Sequence, residues 1–240
     1  MTAPDCQIDP AVFALCPGYR RGVIAVRGTR NQPSSAALRT ELRRLEATLR
    51  QRLDGCSVTD LPEIAAWREA FRAFGARPSE HRSAVESLLR RALRPDGVPS
   101  IHALVDIGTL ISLRHLLPAG VHPWPQQDGP IVLRHARPGD AFFPPDGAPA
   151  EFPPAGEIVL CHGQEVLTRR WVWRQAAGTQ TRLDTPAVFF NLDALPCITD
   201  AVLQQAMDEV VERVLRETGG EVVMRTVLDA GAPALAAGGV

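Results

Sequence analysis

The sequence predicts an α+β fold: a single compact domain with helices packed on mainly antiparallel strands. Three observations predict it. Apolar residues recur at helical spacing through residues 36–93. Residues 101–117 are apolar on nearly every side, the pattern of a central buried helix. Beyond Pro118 the chain breaks into short strand-like segments separated by Pro- and Gly-rich loops. The domain is assigned to residues 1–230, and the low-complexity residues 231–240 to a loose tail. Residues 31–35 and the loop near Gln126 are the only other boundary candidates.

Taken in order, residues 8–27 read as a short helix or turn and then a strand, because Gly22-Val23-Ile24-Ala25-Val26 is apolar and β-branched. Leu38, Leu42, Leu45, Leu49 and Leu53 then share one face of a Ser-capped helix whose other face is rich in arginine. Asp60-Leu61-Pro62-Glu63 has the form of a capping box opening a helix through Phe74, stopped by Gly75. Pro78-Ser79 is read as opening another, with Val85, Leu88, Leu89 and Leu93 on one face and Pro95-Asp96-Gly97 at its end. Pro118 ends the buried helix. Strands are expected at 131–137, 157–161, 166–174 and 187–192. Thr199 and Asp200 cap a last helix, Gly219-Gly220 breaks it, and residues 221–228 form a final strand.

Composition narrows the function classes. The net charge is -1, so a generic polyanion binder is not indicated and any nucleic-acid contact has to be local. All 26 basic residues are arginine, each a planar guanidinium suited to phosphate and to base stacking. The five cysteines are scattered without a CxxC pair, which points to reduced thiols in a cytoplasm. The first residues lack the pattern of a signal peptide, and no apolar run reaches the roughly 20 residues of a membrane span. The six histidines match no metal-ligand spacing, and no cofactor motif is present, so neither a metal nor a cofactor is expected.

Two segments carry candidate chemistry. In LTRRWVWRQ, strand alternation would put Arg169, Trp171, Trp173 and Gln175 on one side and Arg170, Val172 and Arg174 on the other. Trp171 and Trp173 are either a stacking platform or core, with Arg169, Arg170 and Arg174 as the RNA-contact candidates. In the buried helix, Asp106 needs a partner, with Arg82, Arg114 or Arg170 as candidates, and Gly108-Thr109 makes a notch for close approach. His115 and His122 flank Pro118-Ala119-Gly120 and are candidates to face one pocket. Ser100, Ser112 and Cys161 have no evident base nearby in sequence.

Residues 71–195 resemble the B3/4 tRNA-editing domain of the phenylalanyl-tRNA synthetase beta subunit, and its free-standing relatives most of all. The resemblance rests on Val98-Pro99-Ser100-Ile101-His102-Ala103-Leu104-Val105-Asp106, on residues 131–139, on the Trp-X-Trp-Arg run, and on Asp184-Thr185-Pro186-Ala187-Val188. It implies a B3/4-like fold and hydrolysis, in trans, of a mischarged aminoacyl-tRNA, with tRNA or aminoacyl-tRNA as partner. The alternative is a non-catalytic module binding tRNA, an aminoacyl group or a small molecule, or a structural partner of another translation protein. The family's Thr-Asn pair falls on Gly108 and Thr109, its His on Gly120 and its Glu on Asn191. Gly108, Thr109, Gly120, Trp171, Trp173 and Asn191 are therefore the substrate-binding candidates, and no catalytic residue is assigned. The Glu selects a tyrosine hydroxyl, so Asn191 argues against clearance of tyrosine. The Gly-Tyr-Asp that often follows the family's Pro-X-Gly turn is replaced by Val121, His122 and Pro123.

Overall fold

Five strands in one sheet and four in another, with six α-helices, make up the architecture seen in the computed structural model, which describes residues 5–125 and 129–234. The order is β1 (Cys6–Ile8), α1 (Pro10–Leu15), β2 (Arg20–Arg27), α2 (Ala36–Arg52), α3 (Pro62–Ala73), α4 (Ala84–Ala92), α5 (Ala103–His115), β3 (Ala119–Pro123), β4 (Ile131–His135), β5 (Ile158–His162), β6 (Glu165–Arg169), β7 (Arg174–Gln175), β8 (Ala187–Ala194), α6 (Asp200–Thr218) and β9 (Glu221–Leu228). The sheets run β1-β4-β5-β6-β7 and β3-β8-β2-β9. Among these strands every pairing is antiparallel except β1 with β4, so the fold is α+β with mainly antiparallel strands.

The second sheet positions the site. Its two central strands are the most apolar, and β8 is buried at every residue. Cross-strand register sets the rows on one face: Arg21 opposite Asp193, Val23 opposite Asn191 opposite Gly120, and Ala25 opposite Phe189 opposite His122. The other face takes the helices, with Met207 and Leu203 of α6 packed against Gly22. α5 lies across α6 and α2 and against β3. One apolar cluster runs from Cys6 to Leu228, and a smaller one (Ala136, Phe142, Val159, Cys161, Val166, Ala176) sits under the Pro-rich loop.

Several expectations are corrected. Residues 166–174 are not one strand: β6 stops at Arg169, and the chain reverses through Arg170 (φ 45°) and Trp171 (φ 64°) before β7. Val172 N–H bonds the Arg170 carbonyl at 2.6 Å, closing a three-residue turn of the rare, strained positive-φ kind. Asp60 is not a cap; α3 starts after Leu61, which makes no side-chain cap. α4 is opened by Ser83, whose hydroxyl accepts from Glu86 N–H, not by Pro78-Ser79. The buried helix starts after His102, leaving Ile101 outside it and exposed. Strands β1 and β3 were not expected: β1 is three residues long, and β3 is an edge strand holding both Gly120 and Pro123, residues that weaken a strand signal.

Residues 31–35 are no loose linker. Asn31 Nδ2 donates to the Arg182 carbonyl (2.8 Å), and Ser34 Oγ donates to Asp106 Oδ2 (2.6 Å). Of the tail assigned to residues 231–240, the Pro233 carbonyl accepts from Ile8 N–H (2.8 Å) and Ala234 bridges Gln7; residues 235–240 and the loop candidate at 126–128 lie outside the described residues.

Candidate functional site

A cavity of about 340 Å³ opens beside the β3-β8 edge of the second sheet. Gly108, Thr109, Gly120, Trp171, Trp173 and Asn191 all line it. α5 contributes the Gly108-Thr109 notch, and the Ala119 carbonyl comes within 3.3 Å of where a Cβ on residue 108 would stand. Gly120 and Asn191 are directly opposed, and a Cβ on residue 120 would meet Asn191 Oδ1 at 2.6 Å. Glycine at 120 is thus what lets the Asn191 amide lie over β3. Leu88, Val105, Val121 and Val172 give apolar wall, and His122, Asn191 and Asp193 are the polar groups on the sheet face.

Asp193 organises that face. It is fully buried and holds Arg21 through Nε (2.8 Å) and through an ion pair at Nη2 (2.7 Å), while the Tyr19 hydroxyl donates to the same carboxylate. Asn191 Nδ2 donates to Asp193 Oδ2 at 2.7 Å, which fixes the amide's orientation. Asn191 Oδ1 is left buried without a well-aligned hydrogen bond. His122 stacks on Phe189 with ring centroids 4.9 Å apart, and its Nδ1 lies 3.0 Å from Gln175 Nε2. Burial, then the Arg21 charge, pushes the His122 pKa down to about 3, against a smaller opposing contribution from Asn191. His122 is a neutral ring at ordinary pH.

The tryptophans play different parts. Trp171 is enclosed by Tyr19 (4.8 Å, edge-on), Trp67 (5.4 Å, edge-on) and Phe74 (6.4 Å). It is core that also forms the cavity's back wall. Trp173 is half-buried; the Arg170 guanidinium lies 4.4 Å from its centroid and the His81 ring 4.7 Å away. The turn undoes the alternation that had put Arg169, Trp171, Trp173 and Gln175 on one side.

The three RNA-contact candidates are differently placed. Arg169 is buried, its fork bidentate on Glu157 (2.9 and 2.7 Å) with a further bond to Glu151, so each of its three nitrogens is already engaged by a carboxylate. Arg174 is partly exposed and paired with Asp146 at 2.8 Å. Arg170 is 3.7 Å from Glu157, and its Nη1 is buried without a partner.

Other expectations are overturned. Asp106 takes no arginine; it accepts from Ser34 Oγ, Ser100 Oγ and Ile101 N–H in the first turn of α5. His115 faces Glu209 (2.8 Å), away from His122. Ser112 Oγ accepts from Ala119 N–H, and burial pushes the Cys161 thiol up to about 12, so neither is an activated nucleophile. Among the described residues, no group of three or more His, Cys, Asp and Glu is placed to hold a metal.

Sequence reasoning missed Tyr19, Arg21 and Asp193 as parts of this face; it put His122 at a pocket, but together with His115. The signal was present for Asp193: Asn191 and Asp193, two apart in an otherwise apolar run, had to share one strand face.

The family model of the B3/4 domain matches residues 66–223. The chain belongs to the B3/4 domain family. The matched stretch holds all six cavity candidates together with His122 and Asp193, whereas Tyr19 and Arg21, which hold Asp193, precede it. Among solved structures, the chain is similar to an N-terminal fragment of the phenylalanyl-tRNA synthetase beta-subunit from Pyrococcus horikoshii, at 12% identity and a TM-score of 0.44. That alignment covers 90% of this chain and 49% of the fragment, so this B3/4 chain spans about half the fragment's length. No curated protein matches the chain.

Proposed function

We propose that this B3/4 chain takes the aminoacyl end of a tRNA into the 340 Å³ cavity and hydrolyses the ester of a mischarged one in trans. The reading is supported most by the convergence of Gly108, Thr109, Gly120 and Asn191 on one cavity, which is where the family resemblance puts the amino-acid pocket. The volume suits a side chain and its ester. Asn191 Oδ1, buried and without a good partner, is an acceptor for a substrate hydroxyl or ammonium. It supplies no carboxylate for a phenol, so a small or hydroxylated amino acid fits better than tyrosine.

The chemistry asks little of the protein. Water attacks the ester carbonyl carbon, the acyl–oxygen bond breaks, and the ribose oxygen leaves with a proton. The neighbouring ribose hydroxyl can help place that water, and Thr109 and the Asn191 amide can orient the ester. A cellular site in the cytoplasm goes with this reading; no helix among the described residues is long and apolar enough to cross a membrane.

One observation favours a second reading, a non-catalytic aminoacyl-binding module. The histidine at the cavity, with its pKa near 3, is a weak base, and no nucleophile pairs with it. A 3′-aminoacyl-amide analogue of adenosine, which cannot hydrolyse, tests the shared core of both. It should bind the wild type and lose binding in Thr109→Phe, which fills the cavity. Equal binding to both proteins would place the ligand elsewhere and remove either reading.

A further inference from the structure

Next to the Trp173 neighbours Arg170 and His81 lies a second cavity of about 290 Å³, lined by Arg77, Glu80, His81, Glu157 and Arg170 together with the chain at Phe74 and Pro154. It is polar where the first is apolar. Trp173 joins them: its ring lines the first cavity and carries both Arg170 and His81, which line the second.

Two nitrogens here lack partners. Arg170 Nη1 and His81 Nδ1 are each buried without a hydrogen bond. An unpartnered buried donor is costly, most of all on a charged group, so such atoms mark a place where a ligand can complete the bonding. The strained turn is what aims Arg170: its backbone N–H bonds Glu157 Oε1 at 3.1 Å, while the guanidinium lies over Trp173 and keeps only a looser ion pair with Glu157, at 3.7 Å through Nη2.

The carboxylates do not already satisfy the site. Glu157 is held by the bidentate Arg169 fork, and its ion pair with Arg170, at 3.7 Å through Nη2, leaves Nη1 unpartnered. Glu80 pairs with Arg77 at 2.7 Å, an exposed pair that an incoming anion would readily exchange. Burial lowers the pKa of His81, with Arg170 adding to the effect, so the ring rests neutral beside the guanidinium. A neutral imidazole that can carry its proton at Nδ1, a buried guanidinium and an exposed second guanidinium form a donor set for a tetrahedral oxyanion.

We propose that this second cavity is a phosphate subsite, taking a phosphodiester of the RNA whose acylated end enters the first cavity. It rests on the reading of the first cavity as an aminoacyl site: the indole of Trp173 would stand between the amino acid and its nucleotide's phosphate.

The test uses unacylated single-stranded RNA with the terminal sequence of tRNA, and inorganic phosphate alone, against the full chain. Binding is followed by fluorescence anisotropy for the RNA and by calorimetry for phosphate. Arg170→Gln should weaken RNA binding roughly 10- to 100-fold, the worth of one charge-assisted pair, and lower the salt slope by about 0.7. Arg77→Gln, at a side chain 78% exposed, leaves the fold alone and should weaken RNA binding several-fold with the same change in slope. Inorganic phosphate should compete only weakly.

Unchanged RNA affinity in folded Arg170→Gln and in Arg77→Gln overturns the proposal. So does RNA that fails to bind the wild type. Phosphate bound as tightly as RNA overturns the RNA assignment and makes the site one for free phosphate. Because the RNA carries no ester, Arg170-dependent binding without deacylase activity would keep the subsite and refute hydrolysis alone.

Discussion

Trp171 is where the strain and the cavity meet, and replacing it by glycine and by alanine separates the two. The side chain is 1% exposed and packed edge-on against Tyr19 and Trp67, so either substitution should cost roughly 3–5 kcal/mol for the lost ring. The backbone distinguishes them. At φ 64° an alanine keeps the left-handed penalty, roughly 1–2 kcal/mol, that the tryptophan bears now. Glycine removes that penalty but adds roughly 0.4–1 kcal/mol of unfolded-chain freedom. Trp171→Gly should therefore be more stable than Trp171→Ala by about 0.5–1 kcal/mol, the reverse of the usual order in regular structure. Urea unfolding at matched slopes should show a midpoint ~0.3 M higher for the glycine variant. A glycine variant 0.5 M less resistant than the alanine one would refute the strained-turn account.

Three further outcomes follow from the site's geometry. Gly120→Ala forces a Cβ to 2.6 Å from Asn191 Oδ1, and should cost roughly 1–3 kcal/mol by urea unfolding; no loss would mean that Asn191 is free to move. Asp193→Ala strands the buried Arg21 guanidinium and should cost roughly 3–5 kcal/mol, more than Arg21→Met with Asp193→Leu together, which removes both charges; a double variant worse than the single would contradict this. His122, depressed to about 3, stays neutral in the folded chain while the unfolded chain binds a proton below about pH 6.5, so its contribution is intact above that pH and falls as pH drops, by about 1.4 kcal/mol per unit, toward pH 3. The pH 7-to-5 drop in stability should shrink in His122→Gln by roughly 2 kcal/mol, and parallel profiles for the two proteins would show that His122 is not the buried neutral group.

Much of the fold was legible because helical and strand periodicities are local. The Leu38-to-Leu53 spacing, the Ser35 and Thr199 caps and the run around Gly22–Val26 each state their element outright. What was not legible depends on partners distant in sequence. β1 becomes a strand through β4, more than a hundred residues on, and β3 becomes one through β8. The turn at Arg170-Trp171 contradicts the strand propensity of LTRRWVWRQ because burying Trp171 among Tyr19, Trp67 and Phe74 outweighs the backbone cost. The Asp106 partners were misassigned because a carboxylate in the first turn of a helix is served by nearby hydroxyls and amides before any arginine reaches it. The cavity residues converge because α5, β3 and β8 meet at one sheet edge, and that meeting was visible only through family resemblance.

The most direct measurement is deacylation. The full chain is mixed with a panel of mischarged aminoacyl-tRNAs, tyrosine included, and the ester remaining is followed over time beside buffer and an Asn191→Ala variant. At least one small or hydroxylated amino acid should be released faster than in buffer, tyrosine should not, and Asn191→Ala should slow release roughly tenfold or more. A panel left intact by a folded protein, or release that ignores the loss of Asn191, would contradict hydrolysis at this cavity.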